Sequence, residues 1–196
     1  ETELMQYAGK QNAEKLIESY KNLPLEIQTE SIISDLVMRI TSKFSAADQM
    51  EMLSAVAKAY EQIGETLPGL ANYFTETEQY EKAIKAINKL PGYAMYDWST
   101  QAELAILYSE LGQTEKSFHH GHRAIIYAPD NFYSYWMLVY VGILNQDFDL
   151  TIQALNALEA KFEVEITEEM LIEVDEEKHF VGSPAYQQWK QEKAAA

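Results

Sequence analysis

The sequence predicts an all-α fold made of antiparallel helix pairs stacked in series. Three observations predict it. Apolar residues recur with a period of 34, as Leu36, Leu70, Leu104, Leu138 and Ile172. Other columns keep the same register: Val37, Ala71, Ala105 and Val139 (broken at Glu173), and Met50, Ile84, Phe118, Ile152 and Tyr186. A further column is mostly small or polar: Gln49, Ala83, Ser117, Thr151 and Ala185. One column arises cheaply by chance, but several in one register do not, and a period of about 20–50 residues marks stacked supersecondary units. The second observation is helical spacing of apolar residues inside each period. The third is composition: 196 residues, 47% hydrophobic and 12% aromatic, sustain a sizeable core and exclude wholesale disorder.

Taken in order, Leu4, Met5, Ala8, Leu16, Ile17 and Tyr20 predict an N-terminal helix that stops near Leu23-Pro24. Residues 30–63 keep the period through Leu36, Val37, Ile40, Leu53 and Val56. The next period carries Leu70-Ala71, Phe74, Tyr80, Ala83, Ile87 and Leu90-Pro91. The period after it is the clearest. Leu104, Ala105, Leu107, Tyr108 and Leu111 make one apolar stripe, and Gly112 offers a helix stop that tolerates positive φ. Thr114 offers an N-cap oxygen before Phe118, Ala124, Ile125 and Ile126, and Pro129-Asp130 close the unit. The last full period has Trp136, Leu138, Phe148, Leu155 and Leu158. Beyond it, Ser183-Pro184 reads as a helix start, with Ala185, Tyr186 and Trp189 on an amphipathic final helix.

This pattern resembles the tetratricopeptide repeat. The segment Leu104-Ala105, Tyr108, Gly112, Ser117, Ala124, Pro129 matches the family's large–small apolar pair and aromatic on the first helix. It also matches the small residues on the second helix and the exit proline. The last full period departs from the family at Gly142, where an aromatic is usual, and at Thr151, where alanine is usual. The resemblance implies a right-handed α-α superhelix, a solenoid of antiparallel helix pairs. On it, residues 1–63 are an N-terminal helix plus a degenerate repeat, without the small residues and with Glu61 in the exit-proline place. Residues 64–165 are three repeats, 166–193 an acidic segment and C-terminal capping helix, and 194–196 a cloning scar. Small residues at the pair interfaces let two backbones approach closely.

Charge bounds the partners. Against 31 acidic side chains stand 15 basic ones, a net of −16. Nucleic acid and anionic membrane surfaces are excluded, because both require clustered Lys and Arg. No apolar run reaches the ~18 residues of a spanning helix, so membrane insertion is not expected. Half the charge lies in Glu159–Glu177, nine acids against one lysine for a net of −8. Within it Glu173, Asp175 and Glu177 alternate as calcium ligands do, but no glycine follows until Gly182. Interrupted by Val164, Ile166, Leu171, Ile172 and Val174, the stretch reads instead as a solvating segment before the final helix. The absence of cysteine removes disulfides and thiol chemistry. His119 and His122 share a helix face with Glu115 one turn away, short of the four ligands a closed metal site wants, so a solvated face is expected. No cofactor is called for. Phosphate-loop, nucleophile-elbow and dinucleotide motifs are missing, which argues against an enzyme. Glu1 in place of Met leaves room for a removed leader or a larger parent protein. The cytoplasm is favoured over the periplasm or secretion.

One run stands out chemically. Phe132-Tyr133-Ser134-Tyr135-Trp136-Met137-Leu138-Val139-Tyr140 is apolar on nearly every face of a helix. In the family it resembles, first helices line a concave groove. The matching registers place Tyr133, Trp136, Met137, Tyr140 and Leu144 there, with Ala102, Glu103, Ile106, Ser109 and Glu110 from the preceding pair and Pro68, Gly69, Asn72, Thr75 and Glu76 from the one before. The expected function is therefore a non-catalytic scaffold that binds a protein or peptide segment, anchored on the aromatics, with Glu103 and Glu110 selecting basic or polar neighbours. The family's clamp for the carboxylate terminus of heat-shock chaperones is disfavoured, because its places hold Pro68, Ala102 and Trp136, with only Asn72 in keeping. An acidic secretion-type chaperone and a self-capped structural arm are the competing expectations. Separately, the structural reading of the aromatic patch is that Phe180, Tyr186 and Trp189 of the tail cover it. Oligomeric state stays open, with a dimer among the options.

Overall fold

Helices make up all the regular secondary structure among the described residues, 12–175 and 179–195 of a computed structural model. The N-terminal Leu4, Met5 and Ala8, together with Glu177, lie outside the described residues. The chain divides into two compact units, one ending at Lys89 and the other beginning at Leu90.

In the first unit α1 (Ala13–Lys21) starts where Asn12 Oδ1 accepts from the Lys15 amide at 3.0 Å. Its buried Leu16, Ile17 and Tyr20 pack on α4 (Ala46–Gln62). A short α2 (Leu25–Gln28), not foreseen in the sequence, fills the bend after Pro24 and precedes α3 (Ser31–Thr41). Two buried tyrosines make that bend specific. The Tyr20 hydroxyl donates to the Gln28 carbonyl at 2.9 Å, and the Tyr60 hydroxyl donates to the Thr29 carbonyl at 2.8 Å. Burial pushes both phenols above their ordinary range. A 3₁₀ turn (Pro68–Leu70) then leads into α5 (Ala71–Glu76), which pairs with α6 (Tyr80–Ile87).

The second unit opens with a 3₁₀ segment (Gly92–Tyr96). It continues as α7 (Trp98–Glu110), α8 (Thr114–Tyr127), α9 (Phe132–Leu144), α10 (Phe148–Phe162), a short α11 (Glu168–Ile172) and α12 (Pro184–Ala195). Helix α7 packs along α8, and α9 along α10. Helix α9 also lies against both α7 and α8, so within this unit the two pairs stack. Of the expected stripe on α8, Ala124 is buried and Ile125 half-buried, but Ile126 is 68% exposed. The α8 N-cap is Gln113, without a side-chain cap bond, and not Thr114.

The 34-residue period has a backbone counterpart. The amides of Gln79, Gln113 and Asp147 donate to the carbonyls five residues back, Phe74, Tyr108 and Gly142, at 2.7, 2.8 and 2.9 Å. The residue before each donor is left-handed: Glu78 at φ +56°, Gly112 at +65° and Gln146 at +54°. Each corner therefore closes a helix with the same bond pattern, a 6→1 bond behind one left-handed residue. Ala83, Ser117 and Thr151, four residues after each donor, have no solvent exposure. At the last corner the approach is closest: a Cβ added to Gly142 would stand 2.5 Å from Thr151 Oγ1 and 3.2 Å from the Thr151 backbone. The two departures from the repeat pattern thus compensate, the smaller Gly142 making room for the larger Thr151.

Gly142→Ala tests this fit. Helix propensity favours alanine by about 1 kcal/mol, but overpacking a close contact costs about 1–3 kcal/mol. The urea midpoint is expected to fall. In a Thr151→Ala background, where Oγ1 is gone, the same substitution should lose most of its penalty. A Gly142→Ala protein as stable as the parent would show that the helices do not meet there.

Candidate functional site

Helix α9 starts where Asn131 Oδ1 accepts from the Tyr133 amide at 2.9 Å. It buries Ser134, Leu138, Val139, Val141, Gly142 and Ile143. The rest of its apolar surface divides in two. Phe132 and Tyr135 set their rings edge-on to Phe162 of α10, at 5.6 and 5.5 Å between centroids, so part of the aromatic excess holds the α9–α10 pair together. Tyr133 remains 65% exposed, while Trp136, Met137, Tyr140 and Leu144 are each half-buried. Phe132 stacks on Trp136 with planes 16° apart, which fixes the indole from one side.

From α7, Ile106 and Glu103 are half-buried and Glu110 is exposed. Burial raises the Glu103 carboxyl above its ordinary range, and no hydrogen bond or ion pair compensates it among the described residues. Three of the expected site residues meet in one concavity. Glu110, Tyr140 and Leu144 line a cavity of about 480 Å³ together with Ile143 and Gln146. Its far wall is Glu173, Val174, Asp175 and His179, which the sequence did not place there. Asp175 is 3% exposed and its Oδ2 accepts from the Val181 amide at 2.8 Å, so the wall is tied to the chain that follows. The alternating acids were visible in sequence, but nothing in their spacing said what they would face. Glu103, Ile106, Met137, Tyr133 and Trp136 do not line this cavity.

The first unit shows the same register. A cavity of about 350 Å³ is lined by Met38, Thr41 and Ser42 at the end of α3, by Ala46, Gln49, Met50 and Leu53 of α4, and by Gly69, Asn72, Tyr73 and Glu76. Met38, Asn72 and Tyr140 share one register of the 34-residue period, and Ser42, Glu76, Glu110 and Leu144 share another. Ile106, in the first of these registers, lines neither cavity, and α4 contributes as much of the first unit's cavity as α3 or α5 does.

The final helix α12 packs on α10. Ser183 Oγ accepts from the Tyr186 amide at 3.1 Å to start α12 at Pro184, and the Trp189 indole N–H donates to Asn156 Oδ1 of α10 at 2.8 Å. Phe180 is fully buried between Phe148 and Tyr186. The acidic segment is used here rather than merely solvated. Glu159 Oε1 accepts from the Ile166 amide at 2.8 Å and from Lys193 at 2.6 Å, and Glu168 pairs with Lys190 at 2.6 Å. The apolar residues among the acids divide: Ile166 and Leu171 are buried, whereas Val164 and Ile172 are each 38% exposed.

In the histidine cluster the inward residue is His120, not His119 or His122, which are exposed. Gln101, fully buried, donates through Nε2 to the Met95 carbonyl at 2.7 Å, leaving Oε1 as an acceptor 2.8 Å from His120 Nδ1. The neutral Nδ1–H tautomer satisfies that pair, and the ring stacks on Tyr108 at 5.2 Å. Burial, then the neighbouring His119, Arg123 and Lys116, lower the His120 pKa to about 4. No family model matches the sequence, and no curated protein matches it.

His120 predicts an acid-sensitive clasp. Its folded pKa of about 4 lies below the ~6.5 of an unfolded histidine, so the unfolded chain takes up the proton first. The contribution is complete above about pH 6.5 and is lost as pH falls toward 4. Urea midpoints measured at pH 7 and 4.5 should drop further for the parent than for His120→Gln. Equal drops would show that His120 is not held neutral.

Proposed function

We propose that the chain is a non-catalytic, tetratricopeptide-type scaffold that binds a protein or peptide segment on the surface formed by α7 and α9. The observation that carries this reading is where the tail goes. Helix α12 docks on α10, and the side chains at Tyr133, Trp136, Met137, Tyr140 and Leu144 keep solvent-facing surface. Partly exposed Trp and Tyr on a rigid helix are what binding hot spots use. The carboxylates of Glu110, Glu173 and Asp175 at the adjoining cavity favour a segment that carries Lys or Arg beside an apolar anchor. Glu103, half-buried without a partner among the described residues, gains an ion pair on binding such a segment. The fit of α12 also favours the self-capped arm as a second reading, because Tyr186 and Trp189 are buried without a partner chain.

Selection from a random peptide library separates the two. A scaffold is expected to enrich peptides with a basic residue next to an aromatic or aliphatic one. The double variant Trp136→Ala, Tyr140→Ala should lose each anchor's contribution of about 2 kcal/mol while helicity persists. Glu110→Gln should weaken basic peptides most at low salt, where screening is least. No enrichment, or equal binding by the double variant, would sink the assignment to α9.

A further inference from the structure

A second kind of site lies in the first unit, independent of the α9 surface. The end of α4, the loop after it, α5 and one face of α6 border a cavity of about 140 Å³, lined by Glu61, Gly64, Glu65, Thr66, Phe74, Lys82 and Lys85. Thr66 is 8% exposed, and its Oγ1 is the one buried side-chain polar atom among the described residues with no hydrogen-bond partner. A buried hydroxyl left unpaired is costly, so it marks a place where something else supplies the partner.

Cations converge on the same space. Lys85 Nζ donates to the Gly64 carbonyl at 2.9 Å and makes no ion pair among the described residues, which leaves two of its three N–H groups unused. Lys82 Nζ donates to Glu61 Oε1 at 2.5 Å and to Gln79 Oε1 at 2.7 Å, and lies 5.7 Å from the centre of the Phe74 ring. Lys89 pairs with Glu65 at 2.7 Å and holds that carboxyl below its usual range. Two lysines and two glutamates border the space; with Lys82 paired to Glu61, and Glu65 paired to Lys89 outside it, Lys85 is the bordering lysine left without an ion pair among the described residues.

The volume limits the occupant. One water needs about 15 Å³, and a drug-sized ligand or cofactor about 300 Å³ or more. At about 140 Å³ the space suits a molecule of a few heavy atoms. One lysine without an ion pair matches a monoanion, while a phosphate dianion would face Glu61 and Glu65. The Phe74 ring offers an apolar wall.

We propose that this cavity binds a small monocarboxylate. One or both of its oxygens accept from Lys85 Nζ and from the Thr66 hydroxyl, and its short hydrocarbon tail rests on Phe74.

Acetate and propionate titrated into the full chain at constant ionic strength, followed by amide NMR with chloride as control, test this. Saturable shifts at Gly64, Glu65 and Thr66 are expected, with a dissociation constant of about 1 mM for so small a ligand. Thr66→Val removes only the orphan hydroxyl, so the fold should be at least as stable as the parent while the shifts lose saturation; Lys85→Met should do the same. Shifts that grow linearly, that chloride reproduces, or that Thr66→Val retains would overturn the site and leave water as the partner of Thr66.

Discussion

The close approach of helix pairs at their corners is the constraint on which the rest of the structure depends. Each of the three related corners needs one residue in the left-handed region and a side chain small enough to be enclosed four residues after the closing bond. Glycine meets the first demand freely at Gly112, but Glu78 and Gln146 adopt it against a steric preference of about 1–2 kcal/mol per residue. The packing behind the corner offsets that strain. Ala83, Ser117 and Thr151 are fully enclosed, and the polar members of this set bond internally. The Ser117 hydroxyl donates to the Ala105 carbonyl at 2.8 Å, and Asn145 donates to Ser109 at 2.8 Å, joining α7, α8 and the end of α9. Direction is set here: once a corner is closed, the faces of the following helix are decided.

Charge follows a related logic in the C-terminal region. The acids that contribute half the net charge are not a uniform coat, because Glu159 and Glu168 each meet a lysine of α12 and Asp175 caps the Val181 amide. Exposed ion pairs are individually weak, so the anchoring of α12 rests mainly on Phe180, Tyr186 and Trp189, with the ion pairs selecting its orientation. This arrangement gives α9 its character. With α12 laid along α10, Tyr133 stays exposed and Trp136, Met137, Tyr140 and Leu144 stay half-buried, beside a cavity bordered by acids.

The two units handle polarity differently. In the second, carboxylates of Glu110, Glu173 and Asp175 border the space beside an aromatic helix. In the first, Lys82 of α6 pairs with Glu61 of α4, Lys89 beyond α6 pairs with Glu65, and Lys85 donates to the Gly64 carbonyl, with the unpaired Thr66 hydroxyl nearby. An acidic chain thus keeps a small locus where lysines balance carboxylates.

Helix positions and the period of the chain were legible in the sequence because both depend on contacts between residues close in sequence. In the apolar column Leu70, Leu104 and Leu138 are buried and Leu36 half-buried; in the small or polar column Ala83, Ser117 and Thr151 are buried and Gln49 and Ala185 half-buried. Ile172 shows the limit. It keeps the register but is 38% exposed, because α11 is a short helix outside the paired helices. The partial exposure of Tyr133, Trp136, Met137, Tyr140 and Leu144 followed from helical geometry once the buried stripe was known. Three things were decided by tertiary structure alone: that His120 turns inward onto Gln101, that Glu173–Asp175 walls the space beside Tyr140, and that Trp189 meets Asn156. Each joins residues 19 to 35 positions apart through a particular packing choice. A periodic sequence leaves several such choices open, and only the shape of the assembled core separates them.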